Sequence, residues 1–408
     1  MKILHNISSI DQTYGGPLFS MKLIAESQHK LGHNVAIISS ISSKENSRIA
    51  INKDIKQITL PSFSKFRYTK NWENVLFKEF GLPEIIHTYG IWTFHNLIAN
   101  ITAKKYNLPH VIAPCGMLYD AAFNKKNIIL KKVLWKLFQN KAILNAGAIH
   151  TKSNAEYDNI KNVIPDINNS KINIIPNPIE PLKNDKNNYD LGLDKFWKTK
   201  KYILYVGRLD SRKGLICLIN AWNQIINSHD DWRLVITGSD GNSGYLNDIK
   251  KNLKKSKNIN FYDYLIDYND LKKFEDSNVV LTGPLYGSDK DEVYKNASIF
   301  INPSNFENFG MTIAEALNHN LPVIISKNTP WDMIESENCG WLLSDGNTNL
   351  RMILKKVLKI SYKELRQIGK NSSKLVKNLR SDEIALQHLE LYKKLIKLNK
   401  KNIKSAKS

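Results

Sequence analysis

Tyr202-Ile203-Leu204-Tyr205-Val206-Gly207-Arg208-Leu209-Asp210-Ser211-Arg212-Lys213-Gly214 stands at the middle of a chain of 408 residues. It opens on an uninterrupted apolar and aromatic run, the pattern of a strand buried on both faces. A polar loop bounded by two glycines follows. Beyond the loop, Leu215, Leu218, Ile219, Trp222, Ile225 and Ile226 fall on one face of a helix. A strand, a glycine-bounded loop and an amphipathic helix in that order open a parallel α/β unit.

The same alternation extends both ways. Short apolar runs at 234–237, 279–281, 299–301 and 323–325 read as further strands on one side. Residues 1–7, 35–38, 85–87, 111–113 and 149–151 do so on the other. The alternation breaks once, around 176–201, where Pro, Asn, Asp and Lys displace both periodicities. The expected fold class is therefore α/β, with two Rossmann-like, doubly wound parallel-sheet domains. We place them at 1–180 and 201–378, with a linker at 181–200, a final amphipathic helix at 379–400 and a basic tail at 401–408. The length alone favours two domains.

The hydrophobic share of 42% and aromatic share of 10% belong to a globular protein. Cys115, Cys217 and Cys339 lie far apart and show neither paired metal spacing nor a disulfide framework. No apolar stretch approaches the roughly 18 residues of a membrane span. The first residues read as a strand rather than a signal peptide. A cytoplasmic protein is expected, soluble or peripheral on the inner face of the cytoplasmic membrane. Lys and Arg number 59 against 38 acids, a formal net charge of +21. Such a field favours anionic partners, although lysine-rich coding would produce the same count.

Ligands of open α/β sheets bind at the carboxyl ends of strands, and the polar motifs fall there. Tyr14-Gly15-Gly16-Pro17 follows the first strand, and the helix it opens offers unpaired N–H groups to an anion. Arg208 and Lys213 project from the loop quoted above and suit a diphosphate, whose departure builds charge on its oxygens. The alternative for that pair is a solvated basic loop. Pro303-Ser304-Asn305-Phe306-Glu307-Asn308-Phe309-Gly310-Met311-Thr312-Ile313-Ala314-Glu315-Ala316 follows the strand at 299–301 and runs into a helix near Met311. Glu307 stands at the loop mouth, and Gly310 and Met311 can offer N–H groups to phosphate. Glu315 stands one turn into the helix. Two carboxylates so spaced can address different hydroxyls of one extended ligand, or cap a helix and form a surface ion pair. Asp289-Lys290-Asp291 imitates a metal motif but lies where a helix should begin, so we read it as capping and expect no metal.

With these residues the chain resembles the family 4 retaining glycosyltransferases, which have the two-domain GT-B fold. The resemblance rests on Gly207-Arg208-Leu209 with Lys213-Gly214, and on Glu307, Phe309-Gly310-Met311 and Glu315-Ala316 at the Glu-x7-Glu spacing. Pro322-Val323-Ile324 and Cys339-Gly340-Trp341 continue it, as do Gly15-Gly16, Gly32-His33-Asn34-Val35, His87-Thr88-Tyr89-Gly90-Ile91-Trp92 and Ile175-Pro176-Asn177-Pro178. Gly283-Pro284-Leu285 and Pro330-Trp331 resemble a subgroup that builds bacterial surface polysaccharides.

The resemblance implies an acceptor domain, then a donor domain facing it across a cleft, and a last helix that crosses back. It implies hexosyl transfer from a UDP- or GDP-linked sugar to a saccharide or lipid-linked acceptor, with no cofactor and no metal. Catalysis would rest on Glu307, Arg208 and Lys213. Arg208 and Lys213 would bind the diphosphate, Glu307 the donor sugar and Glu315 the ribose. Phe309, Gly310 and Met311 would give backbone contacts, and Gly16 would approach the diphosphate. His87, Tyr89 and Trp92 would meet the acceptor. The chain departs from the family after the fourth strand, at Ala113-Pro114-Cys115-Gly116-Met117, where relatives carry a histidine and this chain has Cys115. The departing phosphate would then take the acceptor's proton itself.

Two rivals have their own discriminators. A GT-B relative of the nucleotide-sugar epimerase type would lack Glu307 and Glu315 in this setting. A nucleic-acid-binding protein would interleave aromatic and basic residues, which this chain does not do, and no nucleic-acid partner is expected. One further segment, 123–144, carries Lys125, Lys126, Lys131, Lys132, Lys136 and Lys141 around Ile128, Ile129, Val133, Leu134, Leu137 and Phe138. That is the pattern of a helix lying on an anionic membrane surface, or of one packed on a sheet.

Overall fold

The computed structural model describes residues 1–42, 48–64, 66–119, 128–182, 200–241, 243–266 and 270–405. The chain forms two compact units. Unit 1 is Met1–Glu180 together with Asn378–Ser408, and unit 2 is Pro181–Lys377. Most of the expected linker, 183–199, and the end of the expected basic tail, 406–408, lie outside the described residues.

Unit 1 is built on seven parallel strands: β1 (Lys2–Ile7), β2 (Asn34–Ile41), β3 (Lys56–Pro61), β4 (Ile85–Tyr89), β5 (His110–Ala113), β6 (Ala148–Thr151) and β7 (Ile172–Ile174). Their order is β3-β2-β1-β4-β5-β6-β7. Ile3, Leu4, Ile7, Ile85 and Ile86 are all 0% exposed, as are the polar His5, Asn6, His87 and Thr88 beside them, so the central strands are covered on both faces. The helices of this unit are α1 (Gly16–Lys30), α2 (Trp72–Glu79), α3 (Phe94–Lys105), α4 (Ile128–Leu134), α5 (Asn140–Asn145) and α6 (Asn154–Val163). A π-helical turn, Trp135–Gln139, separates α4 from α5. The helix expected over 123–144 is therefore broken in its middle, and its start, 123–127, lies outside the described residues.

Unit 2 repeats the plan with β8 (Lys201–Val206), β9 (Trp232–Thr237), β10 (Phe261–Asp263), β11 (Val279–Gly283), β12 (Ile299–Asn302), β13 (Val323–Ser326) and β14 (Gly340–Leu343), in the order β10-β11-β9-β8-β12-β13-β14. Its helices are α7 (Leu215–Asn223), α8 (Tyr245–Lys255), α9 (Leu271–Asp276), α10 (Gly287–Lys295), α11 (Met311–Asn318), α12 (Leu350–Val357) and α13 (Tyr362–Leu375). Leu215, Leu218, Ile219 and Trp222 form the buried face of α7 that the helical spacing marks, packed with strand residues Ile203, Tyr205, Leu234 and Ile299. Ile225 and Ile226 join the same core cluster from beyond the end of α7, which stops at Asn223. The last helix, α14 (Ser381–Ser405), belongs to unit 1.

Both orders place ligand sites by one rule. In each sheet the winding direction reverses beside the unit's first strand, between β1 and β4 and between β8 and β12. Loops leaving adjacent strands in opposite directions open a crevice at such a point.

Candidate active site

In unit 2 the two motif loops leave the strands that flank the reversal. One follows β8 and holds Arg208 and Lys213; the other follows β12 and holds Glu307 and Gly310. They are stitched together by backbone. Asn305 N donates to Arg212 O at 2.8 Å, and Ser304 Oγ donates to the same oxygen at 3.4 Å. Asn347 Nδ2 donates to Pro303 O at 2.8 Å. Gly214, at φ +70°, lies so close that a Cβ there would stand 2.2 Å from Pro303 O. Glycine is therefore required at 214 twice over, by its left-handed backbone and by the neighbouring carbonyl.

The stitching brings Lys213 to Glu307. Nζ lies 2.5 Å from Oε1, with both side chains mostly buried at 17% and 14% exposure. Asn302 Nδ2 donates to the same carboxylate oxygen at 3.2 Å. Arg208, the other cation of the loop, is exposed, and its guanidinium forms no ion pair among the described residues. Arg212 is held back by Asp210, its Nε and Nη2 at 2.8 and 3.0 Å from the two carboxylate oxygens. The loop thus offers an outward guanidinium and a half-buried ammonium whose partner can exchange.

Gly310 caps the N-terminus of α11 at φ +79°. The first donor of the helix is Ile313 N, bonded to Gly310 O at 2.9 Å, so the N–H groups of Gly310, Met311 and Thr312 have no acceptor within the helix and can meet an anion. Phe309 itself is buried, its ring against Trp331 at 5.5 Å, and Trp331 Nε1 donates to Phe309 O at 2.6 Å. Trp331 fixes the loop from behind; the sequence offers Pro330-Trp331 only as a subgroup mark.

Glu315 points to a second cluster. Its oxygens meet Lys290 Nζ at 2.7 Å and the Tyr294 hydroxyl at 2.9 Å. His319 stacks on Tyr294 at 5.0 Å, with Asp291 3.7 Å from its Nε2. Burial and the Glu315 charge hold the Tyr294 phenol well above its ordinary range, so it stays a donor to the carboxylate. Asp289 stands in the first turn of α10, where an acid faces the positive end of the helix dipole, although no side-chain cap bond forms and the N-cap is Tyr286. Reading the tripeptide for metal passes over Lys290, the member that reaches Glu315.

Unit 1 presents Gly16 at the start of α1, after Gly15 at φ +81°. Pro17 has no N–H, so Gly16 supplies the first donor at that helix start. His87 and Tyr89 require a correction. Both are 0% exposed, in the carboxyl half of β4, and their polar atoms are taken up inside the unit. His87 Nδ1 lies 2.6 Å from the Tyr392 hydroxyl of α14, and Tyr89 bonds His5 at 3.1 Å. As placed, neither offers a surface to a saccharide. Trp92 is half-buried; its Nε1 donates to Met117 O at 3.2 Å and its ring lies 5.9 Å from Trp135, a packing role. Cys115, at φ +55°, donates its thiol to Ala113 O at 3.3 Å, and burial pushes the thiol up to about 11. A thiol so held is no nucleophile near neutral pH.

A family model described as Glycosyl transferases group 1 matches residues 194–375, which span β8 to α13. The chain is 24% identical over 340 residues to the uncharacterized glycosyltransferase MJ1607 of Methanocaldococcus jannaschii, covering 76% of each. It is 28% identical over 214 residues to the capsular polysaccharide biosynthesis glycosyltransferase CapM of Staphylococcus aureus, covering 52% of this chain and 50% of CapM. The solved structure of Anabaena HepE in complex with UDP and glucose superposes with a TM-score of 0.71 at 14% identity, over 96% of this chain and 99% of that one. The two parallel seven-stranded sheets and the likeness to HepE show the GT-B fold, and the group 1 match over the second sheet with the two glycosyltransferase relatives supports a glycosyltransferase.

Proposed function

We propose that the chain is a retaining glycosyltransferase that moves a hexosyl unit from a UDP- or GDP-linked sugar to a saccharide or lipid-linked acceptor in the synthesis of bacterial surface polysaccharide. The observation that carries the reading is the pairing of Lys213 with Glu307 at the sheet reversal of unit 2. An ammonium for the diphosphate and a carboxylate for the donor sugar are held at contact distance, beside the free N–H groups of α11. When the glycosidic bond to the diphosphate breaks, negative charge grows on the leaving oxygen. Arg208, Lys213 and the α11 N–H groups neutralise it, so no divalent ion is needed there. Glu307 holds sugar hydroxyls, and Glu315, steadied by Lys290 and Tyr294, holds the ribose. With no free base at Cys115, the leaving phosphate accepts the acceptor's proton. The likeness to CapM and HepE supports the substrate class.

Arg208→Ala and Lys213→Ala test this. Each removes one charge-assisted contact and is expected to weaken nucleoside diphosphate binding by about 1.5–3 kcal/mol, read by calorimetry. Lys213→Ala should cost more turnover than Arg208→Ala, because it also leaves Glu307 without its cation. Unchanged affinity in both variants would remove the diphosphate assignment.

We also propose that unit 1 rests on an anionic membrane surface through α4 and the π turn. Ile129, Val133 and Leu137 recur every fourth residue and are 77%, 47% and 65% exposed. A stripe that packed on the sheet would be covered. Lys132, Lys136 and Lys141 are exposed beside it, and each lysine near an acidic bilayer adds about 1 kcal/mol of attraction. Ile129→Ser with Leu137→Ser should release the protein from vesicles containing acidic lipid while nucleotide binding stays unchanged. Failure of the native chain to sediment with such vesicles at low salt would leave a soluble acceptor as the better reading.

A further inference from the structure

The strand residue His87 is one member of a buried imidazole cluster that the transfer chemistry does not use. His87 on β4, His150 on β6 and His388 on α14 are each 0% exposed, and one ring nitrogen of each lies within 4.8 Å of the other two.

Carbonyl partners fix the ring protons of His150 and His388. A carbonyl oxygen only accepts, so a ring nitrogen against it must be N–H. His150 Nε2 lies 2.9 Å from Ile175 O, and His388 Nδ1 lies 2.8 Å from Ile384 O. Their other nitrogens, His150 Nδ1 and His388 Nε2, are lone pairs. His87 lies at the end of a short relay. His5 Nε2 donates to Gln28 Oε1 at 2.8 Å, so His5 Nδ1 accepts the Tyr89 hydroxyl at 3.1 Å. His87 Nδ1 lies between two hydroxyls, Tyr89 at 3.1 Å and Tyr392 at 2.6 Å, and a proton on Nδ1 is shared by both oxygens. In that tautomer His87 Nε2 is the third lone pair; in the other, the Tyr392 hydroxyl donates to Nδ1 and Nε2–H donates to His150 Nδ1.

These three lone pairs converge. His87 Nε2 lies 3.1 Å from His150 Nδ1, and His388 Nε2 lies 3.4 Å from it. In the first tautomer no ring proton lies between them, and Lys152 Nζ is the donor to His150 Nδ1. Two nitrogens bound to one tetrahedral zinc ion at about 2.0–2.1 Å lie about 3.3–3.4 Å apart, close to both separations. Each ring is also anchored through its far nitrogen on a carbonyl or hydroxyl, the support that metal-bound imidazoles commonly have. Lys152 Nζ is the nearest cation, beside the His150 ring at 3.0 Å from Nδ1 and 2.8 Å from Nε2; among the described residues it bonds neither of the other two rings.

We propose that His87, His150 and His388 form a buried site for a first-row transition-metal dication, zinc(II) foremost, which ties α14 to strands β4 and β6. Three neutral imidazoles suit that class of ion. The role is structural: all three ligands are sealed from solvent, and the ion enters as the unit folds. Lys152 competes for the His150 lone pair, and it turns away when the metal is bound.

The test uses the full-length chain, free of any polyhistidine tag, produced with zinc(II) and separately with cobalt(II). Elemental analysis after gel filtration should find about one ion per chain, and the cobalt form should show the visible bands of a tetrahedral nitrogen site. His150→Asn and His388→Gln should each lose the ion and the bands, while Lys152→Met should keep both. A strong chelator should lower the melting temperature of the wild type and leave that of His388→Gln unmoved. If His150→Asn does not fold, the wild-type cobalt spectrum and His388→Gln decide the matter. Wild-type protein carrying no ion, or equal ion content in wild type and His388→Gln, overturns the proposal and leaves a hydrogen-bonded network centred on Lys152.

Discussion

Glu307→Gln is expected to lower turnover by about 10²–10³-fold while free nucleoside diphosphate binds as well as before or tighter. The variant keeps the size of the side chain and its acceptor oxygen for Asn302, which sits 3.2 Å away. It loses the charge that faces the sugar as the bond breaks. It also releases Lys213, whose ammonium is 2.5 Å from Glu307 and must otherwise be shared between carboxylate and diphosphate. The companion Glu315→Gln should behave in the opposite sense. Its carboxylate answers Lys290 and Tyr294 and is assigned to the ribose, so nucleotide affinity should fall more than turnover at saturation. Steady-state kinetics with calorimetry of the free nucleotide separates the two, since a contact made equally in ground and transition states appears in KM alone. The reverse pattern would exchange the two roles.

Gly214→Ala is expected to destabilise unit 2 by about 3–5 kcal/mol, read as a melting temperature lower by roughly 6–20 °C, with loss of nucleotide binding. A left-handed backbone costs a residue with a Cβ about 1–2 kcal/mol. The added carbon would also stand 2.2 Å from Pro303 O, a carbonyl that Asn347 holds in place. Either loop must move, and both carry the candidate site. Gly287→Ala supplies the comparison: φ is +55° there, but nothing lies within 4 Å of the new carbon. Equal losses in the two variants would show that backbone strain alone matters and that the loops are not locked together.

Much of this architecture is legible in the residues, for a physical reason. A parallel strand covered on both faces is mostly apolar, so the central strands announce themselves even where β1 and β4 bury His5, Asn6, His87 and Thr88. The strands that escape notice are β3, β7, β10 and β14, and these are the four sheet edges. An edge strand is short and half in solvent; β3, Lys56–Pro61, alternates instead of running apolar. The pairing of Lys213 with Glu307 is legible as two motifs at strand ends, though their contact is not. His87 and Tyr89 mislead because they approach the carboxyl end of β4, where ligands are expected. What buries His87 is Tyr392, 305 positions further on, and no local pattern reports a partner so remote. The π turn inside 128–145 is likewise silent, since apolar spacing does not record a change in helix pitch.

The position of α14 has a bearing on how the chain is made. Unit 1 begins to leave the ribosome first, yet its interior waits for a helix encoded after all of unit 2. His388 reaches the neighbourhood of His150 from 238 positions downstream. At about 5–20 residues per second, the gap in synthesis is roughly 12–48 s. Throughout it a nascent sheet displays the groove that α14 will fill, lined by imidazoles and the side chain of Lys152. Unit 2, continuous in sequence, can close meanwhile. The half first translated is therefore the half last completed, and it is the one a holding chaperone would have to shield.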